Sequence, residues 1–184
     1  MIGSPSARAG RPGLRVLLLL GLALIAGACG SSEQRIGELL PAAEREAAPA
    51  VVGETLEGEE LALAEIEGPV LVNFWASWCG PCVGEAPELR NLAKAYEDRV
   101  TVLGVNVRDN ATNARRFESD LDIRFPSWFD PSSEIAASFG GIGPAALPST
   151  LILDAEHRVA VRLFGAVTFT QVSGYLDPLL AEAE

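Results

Sequence analysis

The chain has 184 residues, 48% hydrophobic and 21% charged, which suits one folded domain and is too apolar for wholesale disorder. Fourteen basic residues against 25 acidic ones give a net charge of −11, which argues against a nucleic-acid partner and against electrostatic attraction to anionic lipid.

The charge is unevenly placed. Residues 1–28 carry Arg8, Arg11 and Arg15 and no acid, and Val16–Ala28 is an uncharged run rich in Leu and Ala. A basic stretch, a short apolar core and a small-residue end are the layout of a secretory signal peptide. The run is short of the ~20 apolar residues that cross a bilayer. The segment Ile25-Ala26-Gly27-Ala28-Cys29-Gly30-Ser31-Ser32 resembles a bacterial lipoprotein signal, with Ala26 where Leu is usual; the resemblance implies lipidation at Cys29 and anchoring outside the cytoplasm. An ordinary secretory cleavage or an uncleaved N-terminal anchor are the alternatives. Without residues 1–28, 11 basic residues face 25 acidic ones, a net charge of −14, so any hold on the membrane surface would come from acyl chains.

Residues 29–50, rich in Ala, Glu, Ser and Pro, read as a flexible tether with at most a turn of helix near Glu38. From 51 to 184 the pattern is that of a folded domain. Val51–Ala64 holds two short strand-like pieces separated near Gly58, an N-terminal β-hairpin. Val70–Trp75 is apolar except for Asn73, as in a strand buried on both faces. After Cys79, the spacing of Leu89, Leu92, Ala93 and Tyr96 predicts a helix to about Asp98. A second buried strand is expected at Thr101–Val107, a surface helix at Thr112–Leu121 and a short Ser-capped helix at Ser132–Phe139. Strands at Thr150–Leu153 and Val159–Phe164 flank a polar turn. A closing helix spans Thr168–Ala183, with Pro178 expected to kink or interrupt it. Strand–helix–strand–helix, hairpin and final helix make an α/β domain with a mixed central sheet flanked by helices.

Chemistry concentrates in Phe74-Trp75-Ala76-Ser77-Trp78-Cys79-Gly80-Pro81-Cys82, where a buried strand runs out and a helix starts. Two cysteines three apart on a first helical turn face the same way and can close a small disulfide. The first sulfur lies at the positive end of the helix, where its thiolate is stabilised; in C-x-x-C sites that pKa falls from ~8.5 to roughly 3.5–7.5. Cys79 is then the attacking nucleophile and Cys82 the resolving cysteine. A zinc knuckle would need two more ligands, and the chain offers only Cys29 and His157. A purely structural disulfide does not call for Trp78 and Pro81 at a helix start. The site requires neither metal nor cofactor.

Val70–Leu89 closely resembles the thioredoxin-like proteins of the TlpA and ResA type, in the AhpC/TSA–redoxin superfamily. Ala146–Asp154 is similar to their cis-proline strand and Arg158–Val167 to the strand and Gly turn that follow. The resemblance implies a thioredoxin fold over about 51–184 and an exported, membrane-tethered thiol–disulfide oxidoreductase. It implies a cis peptide between Leu147 and Pro148, with Pro148 against the Cys79 sulfur and the Leu147 backbone pairing with an extended substrate. Trp78, Gly80 and Pro81 would border the substrate. Asn73 stands where cytoplasmic thioredoxins bury an Asp, so Glu85 matches the helix acid of ResA-like proteins and would relay the Cys82 proton; a solvated helix Glu is the alternative. Implied partners are exported proteins with cysteines, including apocytochrome c or metal-site cysteines, and a membrane thiol-transfer electron donor. The dipeptide Gly80-Pro81 favours the reducing direction, since thioredoxin sits near −270 mV against about −120 mV for the oxidant DsbA. Alternatives are a DsbE-like oxidant, a thiol peroxidase and a copper-binding chaperone. A peroxidase does not fit aromatic residues before Cys79. A copper chaperone would have C-x-x-x-C and a well-placed distant His.

Overall fold

The computed structural model describes residues 1–3, 36–140 and 147–182; the expected signal segment from residue 4 onward and the lipidation site Cys29 lie outside the described residues. Numbered in chain order, the elements are β1 (Val52–Glu54), β2 (Glu60–Ala62), β3 (Val70–Trp75), α1 (Gly80–Ala95), β4 (Thr101–Val107), α2 (Ala111–Asp120), β5 (Ser127–Asp130), α3 (Glu134–Ser138), β6 (Ser149–Leu153), β7 (Val159–Phe164) and α4 (Phe169–Ala181). No helix among the described residues is long and apolar enough to cross a membrane.

The central sheet has the order β5-β4-β3-β6-β7. β3, buried at all six positions, is parallel to β4 and antiparallel to β6. β5 adds parallel to β4, and β7 adds antiparallel to β6. The alternation of a strand sends Val72 and Phe74 to one face, where they meet Leu103, Val105, Trp128 and Leu151 beneath α3. Leu71 and Ile152 point the other way, against Leu89 and Leu92 of α1 and Val172 and Leu176 of α4. This is the mixed sheet between helices of a thioredoxin fold.

The expected hairpin is present. β1 pairs antiparallel with β2, Val52 opposite Ala62, around a turn in which Gly58 has φ of +86°. The Trp128 indole N–H donates to the Leu61 carbonyl at 2.9 Å and fastens the hairpin to β5.

Three expectations need correction. The tether does not hold for residues 36–50, which lie along the outer edge of β7. Gly37 N–H donates to Arg162 O, Leu40 N–H to Ala160 O and Ala48 N–H to His157 O, and Glu46 O accepts from Val159 N–H. Arg45 locks this segment down, donating to Asp154 at 3.3 Å and Glu182 at 2.7 Å with its side chain 2% exposed. An edge strand has unpaired backbone groups to satisfy, and a peptide needs no hydrophobic period to satisfy them. Residues 42–44 there form a single 3-10 turn, later than the turn expected near Glu38. Second, α3 begins at Glu134 after Ser133, which has a left-handed backbone and makes no side-chain cap. Third, Pro178 does not interrupt α4, which runs on to Ala181.

Candidate active site

The disulfide grows out of the end of β3. Cys79 is the N-cap of α1, and its sulfur accepts from the Cys82 N–H at 3.3 Å. Pro81 falls in the first turn, where its missing N–H leaves no intrahelical bond unmade. Cys79 and Cys82 are joined, with Cα atoms 5.3 Å apart. In this oxidised state both are buried, packed with Leu56, Trp75, Ala76 and Ala114, with Leu147 against the same cluster. The sulfur therefore sits at the positive end of a 16-residue helix and accepts from the Cys82 N–H, a setting that favours a thiolate once the bond opens.

The surroundings separate into a wall and a rim. Trp75 stacks on Phe117 of α2, ring centroids 4.7 Å apart, and forms a wall beside the cysteines. Trp78 stands on the surface, 56% exposed, with its indole N–H donating to the Arg108 carbonyl at 3.0 Å. Gly80 borders open space. Leu147 and Pro148 are joined by a cis peptide bond. Ser149 pairs with Phe74, so Pro148, which leads into β6, lies beside the turn that runs from Trp75 to Cys79.

Glu85, three residues after Cys82 on α1, is 1% exposed, which disposes of the solvated alternative. Asn73 donates to one carboxylate oxygen, and the Val167 N–H to the other at 3.1 Å. The Asn73 amide also reaches Thr150 Oγ1 at 3.1 Å. Burial pushes the Glu85 carboxyl up to about 7, against those two hydrogen bonds, which favour the charged form. Residues three apart on a helix lie on one face, so the raised Glu85 carboxyl is on the same side of α1 as Cys82. A small cavity lined by Asn73, Trp75, Cys82 and Phe117 lies behind Cys82.

Sequence reasoning missed the loop after β4. The Asp109 carboxylate accepts from the Ser77 N–H at 2.5 Å, the Ser77 hydroxyl at 2.8 Å, Asn106 Nδ2 at 3.0 Å and the Asn110 N–H at 2.7 Å. An acid flanked by Arg and Asn in a polar loop carries no pattern that points to this. His157 lies in the turn between β6 and β7, a setting different from a ligand near the cysteines.

Comparison with known proteins agrees with this chemistry. The AhpC/TSA family matches residues 45–162. The thiol-disulfide oxidoreductase ResA of Geobacillus thermodenitrificans is 31% identical over 134 residues, covering 72% of this chain and 75% of its own. Among solved structures, a DsbF homologue from Corynebacterium diphtheriae superposes with a TM-score of 0.74 at 31% identity, covering 83% of this chain and 97% of that one. A secreted thiol-disulfide isomerase from Corynebacterium glutamicum does so at 0.74 and 32%, over 78% and 90%. With its paired cysteines at the head of α1 and its match over 45–162, the chain belongs to the AhpC/TSA family and is a thiol–disulfide oxidoreductase of thioredoxin fold.

Proposed function

We propose that the protein works outside the cytoplasm, held to the membrane through lipidated Cys29, and reduces disulfides of exported proteins. The exposed position of Trp78 and Gly80 beside the Cys79–Cys82 bond carries the reading, because it gives a protein segment access to an otherwise buried redox centre. In the reduced enzyme, the Cys79 thiolate attacks one sulfur of a substrate disulfide. A bond forms between Cys79 and that sulfur, and the other substrate sulfur leaves as a thiolate. Cys82 gives up its proton towards Glu85 and attacks the Cys79 sulfur, which releases the second substrate thiolate and leaves the Cys79–Cys82 disulfide. Two electrons pass to the substrate. A membrane thiol donor restores the dithiol.

Each role has its support. The N-cap geometry favours Cys79 as nucleophile, and a near-neutral, buried Glu85 suits proton transfer at working pH. The Leu147-Pro148 backbone, which leads into β6, supports pairing with an extended substrate segment. Location outside the cytoplasm is supported by the basic and apolar pattern of residues 1–28. Apocytochrome c or metal-site cysteines are the substrate class that resemblance to ResA-type proteins suggests.

Equilibration of the Cys79–Cys82 pair with dithiothreitol and glutathione buffers tests the direction. A reductase gives a potential near the ~−270 mV of thioredoxin; a value near the ~−120 mV of DsbA would make the protein an oxidant.

A further inference from the structure

The turn that presents Cys79 is fastened from outside. Ala76, Ser77 and Trp78 connect β3 to the N-cap sulfur, and the only backbone bond closing that turn on itself among those described runs from Cys79 N–H to Ala76 O at 3.1 Å. The loop after β4 supplies the rest. Asp109 takes both the N–H and the hydroxyl of Ser77, and the carbonyl of Arg108 takes the Trp78 indole. This loop is itself held from three sides. Asn106 Nδ2 donates to Asp109, Arg108 N–H donates to Asp130 O, and Asn110 caps α2 through the N–H groups of Thr112 and Asn113.

We infer that Asp109 is a positioning residue for disulfide exchange, holding the Ser77–Trp78 turn so that the Cys79 sulfur stays at the N-cap of α1 when the disulfide opens. The inference rests on the reading of Cys79 as nucleophile. With the bond to Cys82 broken, the sulfur is held by the Cys82 N–H, by the apolar cluster around it and by the backbone on either side. On the α1 side that backbone is helical, and on the β3 side it is the turn that Asp109 grips. Four donors on one carboxylate hold it ionised: its pKa lies below the usual carboxylate value despite burial, with the Asn106 and Ser77 bonds among the causes. A thiolate gains from a helix N-terminus only within its first turn, so a sulfur that swings out loses that stabilisation.

Two opposing effects can be separated by choice of substitution. Asp109→Asn removes the charge but keeps the grip, because its amide oxygen accepts the Ser77 N–H and its amide N–H can donate to the Ser77 hydroxyl. Asp109→Ala removes both. In a Cys82→Ser background, the pH profile of Cys79 alkylation by iodoacetamide is measured for the parent, both Asp109 substitutions and Ser77→Ala. The expected result is that Asp109→Ala moves the midpoint upward by about one pH unit and slows alkylation about tenfold at pH values well below the parent's midpoint, whereas Asp109→Asn does neither. Ser77→Ala, which leaves only the backbone half of the grip, falls between. Midpoints that stay put, or that move downward together in Asp109→Ala and Asp109→Asn, would overturn the inference, since a mere charge effect does the latter. If Asp109→Ala fails to fold, the Ser77→Ala and Asp109→Asn profiles decide alone: a Ser77→Ala midpoint equal to the parent's overturns it. A parent midpoint already at that of a free thiol would instead sink the assignment of Cys79 as nucleophile, and this inference with it.

Discussion

Replacing Glu85 by Gln should change how stability depends on pH, by an amount that the structure sets. The carboxyl is 1% exposed and titrates at about 7 in the fold, against 4.5 in the free side chain, because burial disfavours its charged form. Its folded pKa is raised, so its stabilising contribution is full below pH 4.5 and is lost as pH rises through 7. The gap between the two values corresponds to about 3 kcal/mol. Gln stays neutral throughout and shows no such loss. It does leave one of the two donors, Asn73 Nδ2 or the Val167 N–H, facing an amide N–H, which costs about 1–3 kcal/mol at every pH. The offset is constant and the slope is the readout. Glu118, also buried and raised to about 7, contributes equally to both proteins and cancels in the difference. Urea unfolding of the oxidised wild type and Glu85→Gln, in half-unit steps from pH 4.5 to 8, should show the variant gaining about 3 kcal/mol on the wild type. A difference that is flat with pH would refute the buried, near-neutral carboxyl and with it the proton relay.

Other outcomes follow from the same geometry. Arg45→Met should release the edge segment along β7 and cost about 2 kcal/mol, by loss of charge-assisted bonds to Asp154 and Glu182; chemical denaturation measures it, and proteolysis should cut first near residues 36–50. Because Asp154 titrates below its ordinary value, the stability it contributes is present above about pH 3.8 and lost as pH falls through its folded pKa, so the deficit of Arg45→Met should shrink in that range. Gly104→Ala should cost about 1–3 kcal/mol and change the fluorescence of Trp75, because the new Cβ would lie 2.1 Å from Ser127 Oγ and 2.8 Å from Trp75 Nε1. Adding Ser127→Gly should recover part of the Gly104→Ala loss, since it removes both the oxygen and the Cβ that crowd that position.

The site was legible where chemistry leaves a local signature. β3, β4 and β7 have the bounds that their strand-like, largely apolar runs assign them, and the cysteine pair announces itself at the junction of β3 and α1. β5 escaped because it is four residues between Pro126 and Pro131, too short for a period and bounded by residues that read as turn. The segment 36–50 escaped because its order comes from backbone bonds to β7 and from one arginine, neither of which shows in a hydrophobic pattern. Glu85 is placed by resemblance; its burial, and the roles of Val167 and Thr150 in its surroundings, depend on chain segments distant in sequence, Val167 lying 82 residues away. Asp109 illustrates the same limit, since its acceptors' worth is decided by Ser77, on another loop.

The order of attack is the point on which the chemistry turns. Cys82→Ser and Cys79→Ser, each reduced and mixed with a small disulfide-bonded protein, are to be compared by mass spectrometry after acid quenching. The Cys82→Ser protein should accumulate a mixed disulfide through Cys79, and the Cys79→Ser protein should accumulate almost none. Equal or preferential trapping through Cys82 would contradict a nucleophile at the head of α1.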